Sequence, residues 1–169
     1  MGTPFLRVAP AIRGSPSGDE RVKCKTMKTE KLDSLIERAK AADLDGLDFL
    51  SSYEHGEIAS AYNGIGPEWM PANLREKVSG YLDLFAPAAL IHDMRYQMSD
   101  GSRYGFNFAN MEFWANCVKL AEDAYPWWNW RRYGARLASA ALYDFVRSQC
   151  GWVAWTEAQR KNFKKQKEV

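Results

Sequence analysis

The sequence is poor in cysteine and histidine, with three Cys and two His among 169 residues. Cys24, Cys117 and Cys150 lie far apart, and an odd, sparse set does not make a disulfide framework. No Cys or His spacing is typical of a zinc site. These shortages predict a reducing compartment, or a fold that needs no disulfide bridges.

Long apolar runs and a large excess of one charge are also absent. No run approaches the roughly 18 apolar residues that would span a bilayer, and residues 1–25 hold no apolar core of signal-peptide length. Lys plus Arg (23) nearly balances Asp plus Glu (21), whereas a surface that binds nucleic acid should be more basic. We therefore expect no signal peptide, no transmembrane segment and no nucleic-acid partner.

The remaining composition is that of one globular domain, with 46% hydrophobic and 26% charged residues. It excludes bulk disorder, collagen and repeat arrays. Gly, Pro, Ser and Arg without periodicity predict a disordered leader over residues 1–27, and Met27 is a possible natural start. Residues 28–155 then form a single helical domain, and residues 156–169 form a basic tail.

Most of the predicted domain shows the periodicity of amphipathic helices, and few segments show the pattern of a strand. The predicted fold class is therefore mostly α. Pro87 is expected in the first turn of its helix. Two glycines and a proline break the pattern over residues 62–67. An amphipathic segment follows Thr29, and further helices are predicted over about 47–61, 72–85, 87–98, 106–124 and 133–149.

The segment 88–96 carries the first chemical signal. On a helix, Ala89, His92, Asp93 and Tyr96 are spaced at i, i+3, i+4 and i+7 and share one face. A histidine, a carboxylate and a phenol are costly to bury without partners. By itself this pattern also fits a buried histidine that is hydrogen-bonded to the tyrosine.

The second signal is the loop Tyr62-Asn63-Gly64-Ile65-Gly66. Glycine tolerates unusual dihedrals, so such a loop can turn several backbone carbonyls toward one point. Carbonyls with one carboxylate make a hard oxygen site suited to calcium. By itself the loop also fits an ordinary connection between two helices.

Together these residues resemble the phospholipase A2 superfamily. The loop is similar to the Y-x-G-x-G calcium loop at Tyr62, Gly64 and Gly66, and the helix is similar to the H-D-x-x-Y signature that begins at His92. The likeness spans about residues 61–118. It is nearest the disulfide-free branch, such as the parvovirus capsid phospholipase domain, and small phage and prophage proteins.

The resemblance implies a core of two antiparallel helices with a Gly-rich calcium-type loop and flanking helices. It implies calcium-dependent hydrolysis of the sn-2 ester of glycerophospholipids, in the cytoplasm of a bacterial host or in a virion. His92 would be the general base and Tyr96 would help to fix the site. The implied calcium ligands are Asp93 and the carbonyls of Tyr62, Gly64 and Gly66.

Asn110 departs from the family pattern, which usually places an aspartate there to orient the histidine. The apolar stripe of the second helix turns Asn110 inward, so we expect it within hydrogen-bond reach of His92. An amide can accept a hydrogen bond from the ring but cannot stabilise imidazolium by charge. The alternative is therefore a non-catalytic phage or prophage protein, structural or membrane-interacting, on the same scaffold.

A phospholipid membrane surface is the expected partner. Residues 127–133 interleave three Trp and one Tyr with Arg131 and Arg132. Trp and Tyr favour bilayer interfaces, and arginine favours anionic headgroups. The same rings could instead close the core under the last helix. His55 has no visible partner in the sequence and is expected on the surface.

Overall fold

The computed structural model describes residues 18–62, 73 and 81–167. The expectation of a mostly α fold is confirmed, because this part of the chain contains helices and no strand. None of its helices is long and apolar enough to cross a membrane. The helices are α1 (Gly18–Ala41), α2 (Leu47–Ser51), α3 (His55–Ala61), α4 (Leu82–Gln97), α5 (Arg103–Ala124), α6 (Trp130–Val146) and α7 (Gln149–Lys167).

Helices α4 and α5 pack against each other in antiparallel fashion. His92 on α4 faces Phe113 on α5, whereas Tyr96, one turn later on α4, faces Phe106, two turns earlier on α5. α6 packs in turn on α5, and α1 packs on α4. The core therefore centres on α4, whose side chains are buried on nearly every side from Phe85 to His92. A helix that is buried on all sides needs no polar face, and α4 has none between Phe85 and Ile91.

Pro87 lies inside α4, not in its first turn, because the helix begins at Leu82. An interior proline has no N–H for the carbonyl four residues earlier, which here belongs to Asp83. Nη2 of Arg38 on α1 donates a hydrogen bond to that carbonyl oxygen at 2.8 Å. A side chain from another helix thus supplies the missing donor and allows α4 to extend past the proline.

The helix predicted over residues 47–61 is divided into α2 and α3. Glu54 begins α3 with a capping box, in which its own backbone N–H donates to Glu57 Oε2 at 3.0 Å. Reciprocal bonds of this kind satisfy two N–H groups at a helix start, so a new helix can begin there. The start of α5 is capped by Ser102, whose Oγ accepts from the Gly105 backbone N–H.

Helices extend beyond both ends of the predicted domain, and residues 1–17 of the predicted leader lie outside the described residues. α1 begins at Gly18, inside the segment 1–27 that the sequence predicts to be a leader. α7 was not predicted, and it continues into the segment 156–169 expected as a basic tail. Trp152 and Trp155, three residues apart on α7, place their rings on Phe106 of α5, and this packing fixes the helix. Most of the helix predicted over 72–85 lies outside the described residues.

Candidate functional site

Three side chains from α4 and α5 meet at the centre of the helix pair. His92 and Tyr96 are four residues apart on α4, so their rings lie together, with centroids 4.4 Å apart. Asn110 reaches them from α5. Its Oδ1 lies 2.9 Å from Nε2 of His92 and 3.1 Å from the Tyr96 hydroxyl. The predicted contact between His92 and Asn110 is therefore confirmed.

The hydrogen bond fixes the tautomer of His92. An amide oxygen only accepts hydrogen bonds, so Nε2 must carry the proton that it donates to Asn110. In the neutral ring, Nδ1 then holds the free lone pair. The atom that can accept a proton from water is therefore Nδ1.

Burial governs the acid–base chemistry of this cluster. It lowers the pKa of His92 to about 4, because the apolar surroundings solvate imidazolium poorly, and the hydrogen bond to Asn110 offsets only part of this effect. Burial also raises the pKa of Tyr96 well above its usual range. Both side chains are therefore neutral at pH 7.

The NH2 group of the Asn110 amide is unpaired. Nδ2 of Asn110 is buried and has no hydrogen-bond partner. A buried donor without an acceptor costs about 1–3 kcal/mol, because it has lost water and gained nothing. A carboxylate at this position would carry no such donor, so the surroundings of Asn110 suit an acceptor better than an amide.

Asp93 follows His92 on α4, and its charge acts on Tyr62, which is the last described residue after α3. Burial is the main cause of the raised pKa of the Tyr62 phenol, and the negative charges of Asp93 and Asp83 raise it further. The charge of Asp93 therefore acts on Tyr62, the first residue of the predicted loop. Gly64 and Gly66, the other predicted ligands, lie outside the described residues.

The available donors suit a hard cation. A carboxylate and backbone carbonyls offer only oxygen ligands, which calcium prefers and which zinc and copper sites rarely use alone. In the part of the chain that the structure describes, no three His, Cys, Asp or Glu side chains converge on one point. Asp93, with carbonyls of the loop that begins at Tyr62, thus fits calcium by donor chemistry.

An ion pair beside the site was not anticipated from the sequence. Arg95 donates two hydrogen bonds to Glu112, at 2.9 Å from Nε and 2.8 Å from Nη2. Its guanidinium also lies 3.7 Å from the centre of the Phe49 ring. The ion pair links α4 to α5, and the contact with Phe49 adds α2. Arg95 lies within the H-D-x-x-Y segment, which marks it as a residue near the site. Its partner could not be predicted, because Glu112 lies 17 residues away on another helix.

Two surface expectations are also settled. His55 lies on the surface as expected, and its Nε2 lies 2.7 Å from Asp33 Oδ1. The sequence could not show this contact, since the two residues lie 22 positions apart on different helices. The alternative in which the tryptophans close the core is wrong, because Trp127, Trp128 and Trp130 are 72%, 70% and 73% exposed.

Comparison of the chain with protein-family models, with curated proteins and with solved structures finds no match. The likeness to the phospholipase A2 superfamily therefore rests on the loop and helix residues of this sequence.

Proposed function

We propose that this chain is a calcium-dependent phospholipase A2-like acyl hydrolase that cleaves the sn-2 ester of glycerophospholipids. One observation carries the proposal. Asn110 accepts a hydrogen bond from Nε2 of His92, which leaves Nδ1 as the basic atom of the ring. His92 directly precedes Asp93 on α4. Ester hydrolysis by an activated water requires a general base that is held in position. Here the hydrogen bond at Nε2 holds the base, and a carboxylate suited to calcium lies beside it.

His92 takes and returns one proton in this reaction. Nδ1 accepts a proton from a water molecule as the water oxygen forms a bond to the ester carbonyl carbon. The imidazolium then gives that proton to the departing glycerol oxygen as the old C–O bond breaks. Fatty acid and lysophospholipid leave, and the neutral histidine is restored.

The other members of the cluster hold the base in place. Asn110 fixes the ring by accepting from Nε2, and Tyr96 supports Asn110 through its hydroxyl. Asp93 and the carbonyls of Tyr62, Gly64 and Gly66 would hold the ion. Calcium, when bound, supplies positive charge that polarises the ester carbonyl and stabilises the oxyanion.

The experiment is hydrolysis of mixed-chain phospholipid, followed by mass spectrometry to identify the acyl chain released. We expect release from sn-2 with saturating calcium, and none after calcium removal or in His92→Gln, because an amide cannot take a proton from water. Release from sn-1 alone, or activity that survives both changes, would exclude the mechanism. His55→Gln is the matched control, since the same exchange there affects an exposed ring.

A second candidate is a non-catalytic phage or prophage protein, structural or membrane-interacting, on the same scaffold. Asn110 favours it, because an amide adds no charge to stabilise imidazolium and the pKa of His92 is already lowered to about 4. A folded wild type that binds calcium but hydrolyses no phospholipid would support this candidate. Either function is consistent with the bacterial cytoplasm or virion that the resemblance implies.

A further inference from the structure

The connection between α5 and α6 and the outer face of α6 carry an exposed aromatic surface. Trp127 and Trp128 lie in the connection, with ring centroids 5.7 Å apart. Trp130, Tyr133 and Leu137 continue it along α6 at i, i+3 and i+7, so they share one face. We call these five residues the tryptophan face. Each is more than 60% exposed.

Among the described residues, the tryptophan face lies outside the hydrophobic core. α6 packs on the rest of the protein through its opposite side, where Ala135, Ala138, Ser139 and Leu142 are buried. Single exposed apolar residues are ordinary, but a contiguous aromatic set is typical of an interaction surface. α6 therefore carries apolar side chains on both sides, and among the described residues only the side with Ala135, Ala138 and Leu142 is buried.

Three arginines lie beside the tryptophan face, and one of them has no acidic partner in the part of the chain that the structure describes. Between Asp123 and Asp144 the chain contains Arg131, Arg132 and Arg136 and no acidic residue. Arg132 and Arg136 both contact Glu122. Arg131 has no ion pair among the described residues, and its guanidinium lies 6.0 Å from the centre of the Trp130 ring.

We propose that the tryptophan face anchors this protein to an anionic phospholipid surface. Indole and phenol rings are amphipathic and settle at the boundary between headgroups and acyl chains. Arg131, beside Trp130, is placed to meet anionic headgroups. The positive charge of Arg131 favours an anionic lipid surface over a second copy of the chain, because a second copy would present the same positive charge. The inference deepens the proposed function and rests on it for the choice of lipid.

The test is vesicle binding in calcium-free buffer, where no hydrolysis is expected. Sedimentation compares vesicles of phosphatidylcholine alone with vesicles that also contain phosphatidylglycerol. We expect wild type to bind the mixed vesicles, and binding to fall at least about tenfold when Trp127, Trp128 and Trp130 are all changed to Ser. The control, Tyr104→Ser with Val153→Ser, changes two exposed residues outside the tryptophan face and should bind as wild type does.

Two further measurements fix the lipid contact. Brominated acyl chains should quench the tryptophan fluorescence of wild type, which tests the inference even if the triple variant does not fold. Arg131→Glu should abolish the preference for phosphatidylglycerol. Absence of wild-type binding, equal binding by wild type and the triple variant, or an unchanged preference in Arg131→Glu would overturn the proposal. A wild-type dimer that the triple variant converts to monomer, without vesicle binding, would assign the face to a second copy instead.

Failure of this inference is distinguishable from failure of the proposed function. Wild type that hydrolyses a water-soluble short-chain phospholipid with calcium, but does not bind vesicles, would retain the enzyme and remove the anchor. Wild type that binds mixed vesicles through the tryptophan face, but hydrolyses neither substrate, would retain the anchor and remove the enzyme.

Discussion

Nε2 of His92 lies 2.9 Å from Oδ1 of Asn110, so the buried histidine of the described residues is held by an amide. A carboxylate in that position would accept the same hydrogen bond and would add negative charge beside the ring. An amide therefore only orients the histidine, whereas a carboxylate would orient it and also stabilise the imidazolium by charge.

Asn110→Asp should raise the pKa of His92 above its value of about 4, because the added charge favours imidazolium. If the protein is an enzyme, the hydrolysis rate should rise at least about tenfold with calcium saturating. NMR titration of the His92 imidazole signals gives the pKa. The control is Asn107→Asp, the same exchange at an exposed position of α5. A rate and a pKa that do not change would contradict the role given to Asn110.

The stability of the wild type should depend on pH through His92. Its pKa is about 4 in the folded protein and about 6.5 in the unfolded chain, so the unfolded chain binds more protons between these values. The stability is fully present above pH 6.5 and is lost as the pH falls toward 4. The expected loss is about 3 kcal/mol.

Urea unfolding at a series of pH values measures this loss. His92→Gln should remove that part of the pH dependence, because glutamine does not titrate. His55→Gln should retain it, since that ring is exposed on the surface. A wild-type free energy of unfolding that is constant from pH 6.5 to 4 would contradict the burial of His92 as a neutral ring.

Asp93→Asn should weaken calcium binding at least about tenfold, because it removes the carboxylate that the proposed site depends on. Isothermal titration calorimetry gives the affinity directly. Asp144→Asn is the matched control, since that aspartate is exposed near the far end of α6 and should leave the affinity unchanged. Equal calcium binding by wild type and Asp93→Asn would show that the assigned site is wrong.

Gly46→Ala should destabilise the fold by about 1–3 kcal/mol. Gly46 has φ +90°, which L residues rarely adopt, and a Cβ there would approach Ile91 Cγ2 to 2.8 Å and Glu112 Oε1 to 2.9 Å. Gly56→Ala is the control, because nothing lies within 4 Å of a Cβ at that position of α3. Urea unfolding should show a neutral to stabilising effect there. Equal effects of the two changes would contradict the close approach of Gly46 to Glu112.

The sequence is sufficient to predict the helix pair and its central contact. The spacing of His92 and Tyr96 on one helix, and the apolar neighbours of Asn110 on the next, are local patterns of period 3.6. Two consecutive helices joined by a short turn pack against each other, so inward residues on both must meet. The fold class and the inward direction of Asn110 follow from these local rules, whereas the resemblance to the phospholipase A2 superfamily indicated Asn110 as the partner of His92.

The features that the sequence did not reveal all depend on distant partners. Proline rules place Pro87 at a helix start, but the Arg38 side chain, 45 positions before Asp83, lets the helix begin earlier. The sequence pattern of α7 indicates a helix only weakly, because Gly151 lies in its first turn and basic residues follow. Its packing on Phe106 and Tyr96 shows why it forms. Nor can spacing decide whether a tryptophan faces the core or the solvent.

The antiparallel packing of α4 on α5 has a kinetic consequence. His92 and Asn110 are separated by 18 positions, whereas Asp45 and Asn116, which exchange two hydrogen bonds, are separated by 71. Closing the shorter loop loses less chain entropy, and contacts that are local in sequence form quickly. The candidate base and its partner should therefore come together early in folding, before the segment near Asp45 docks on α5.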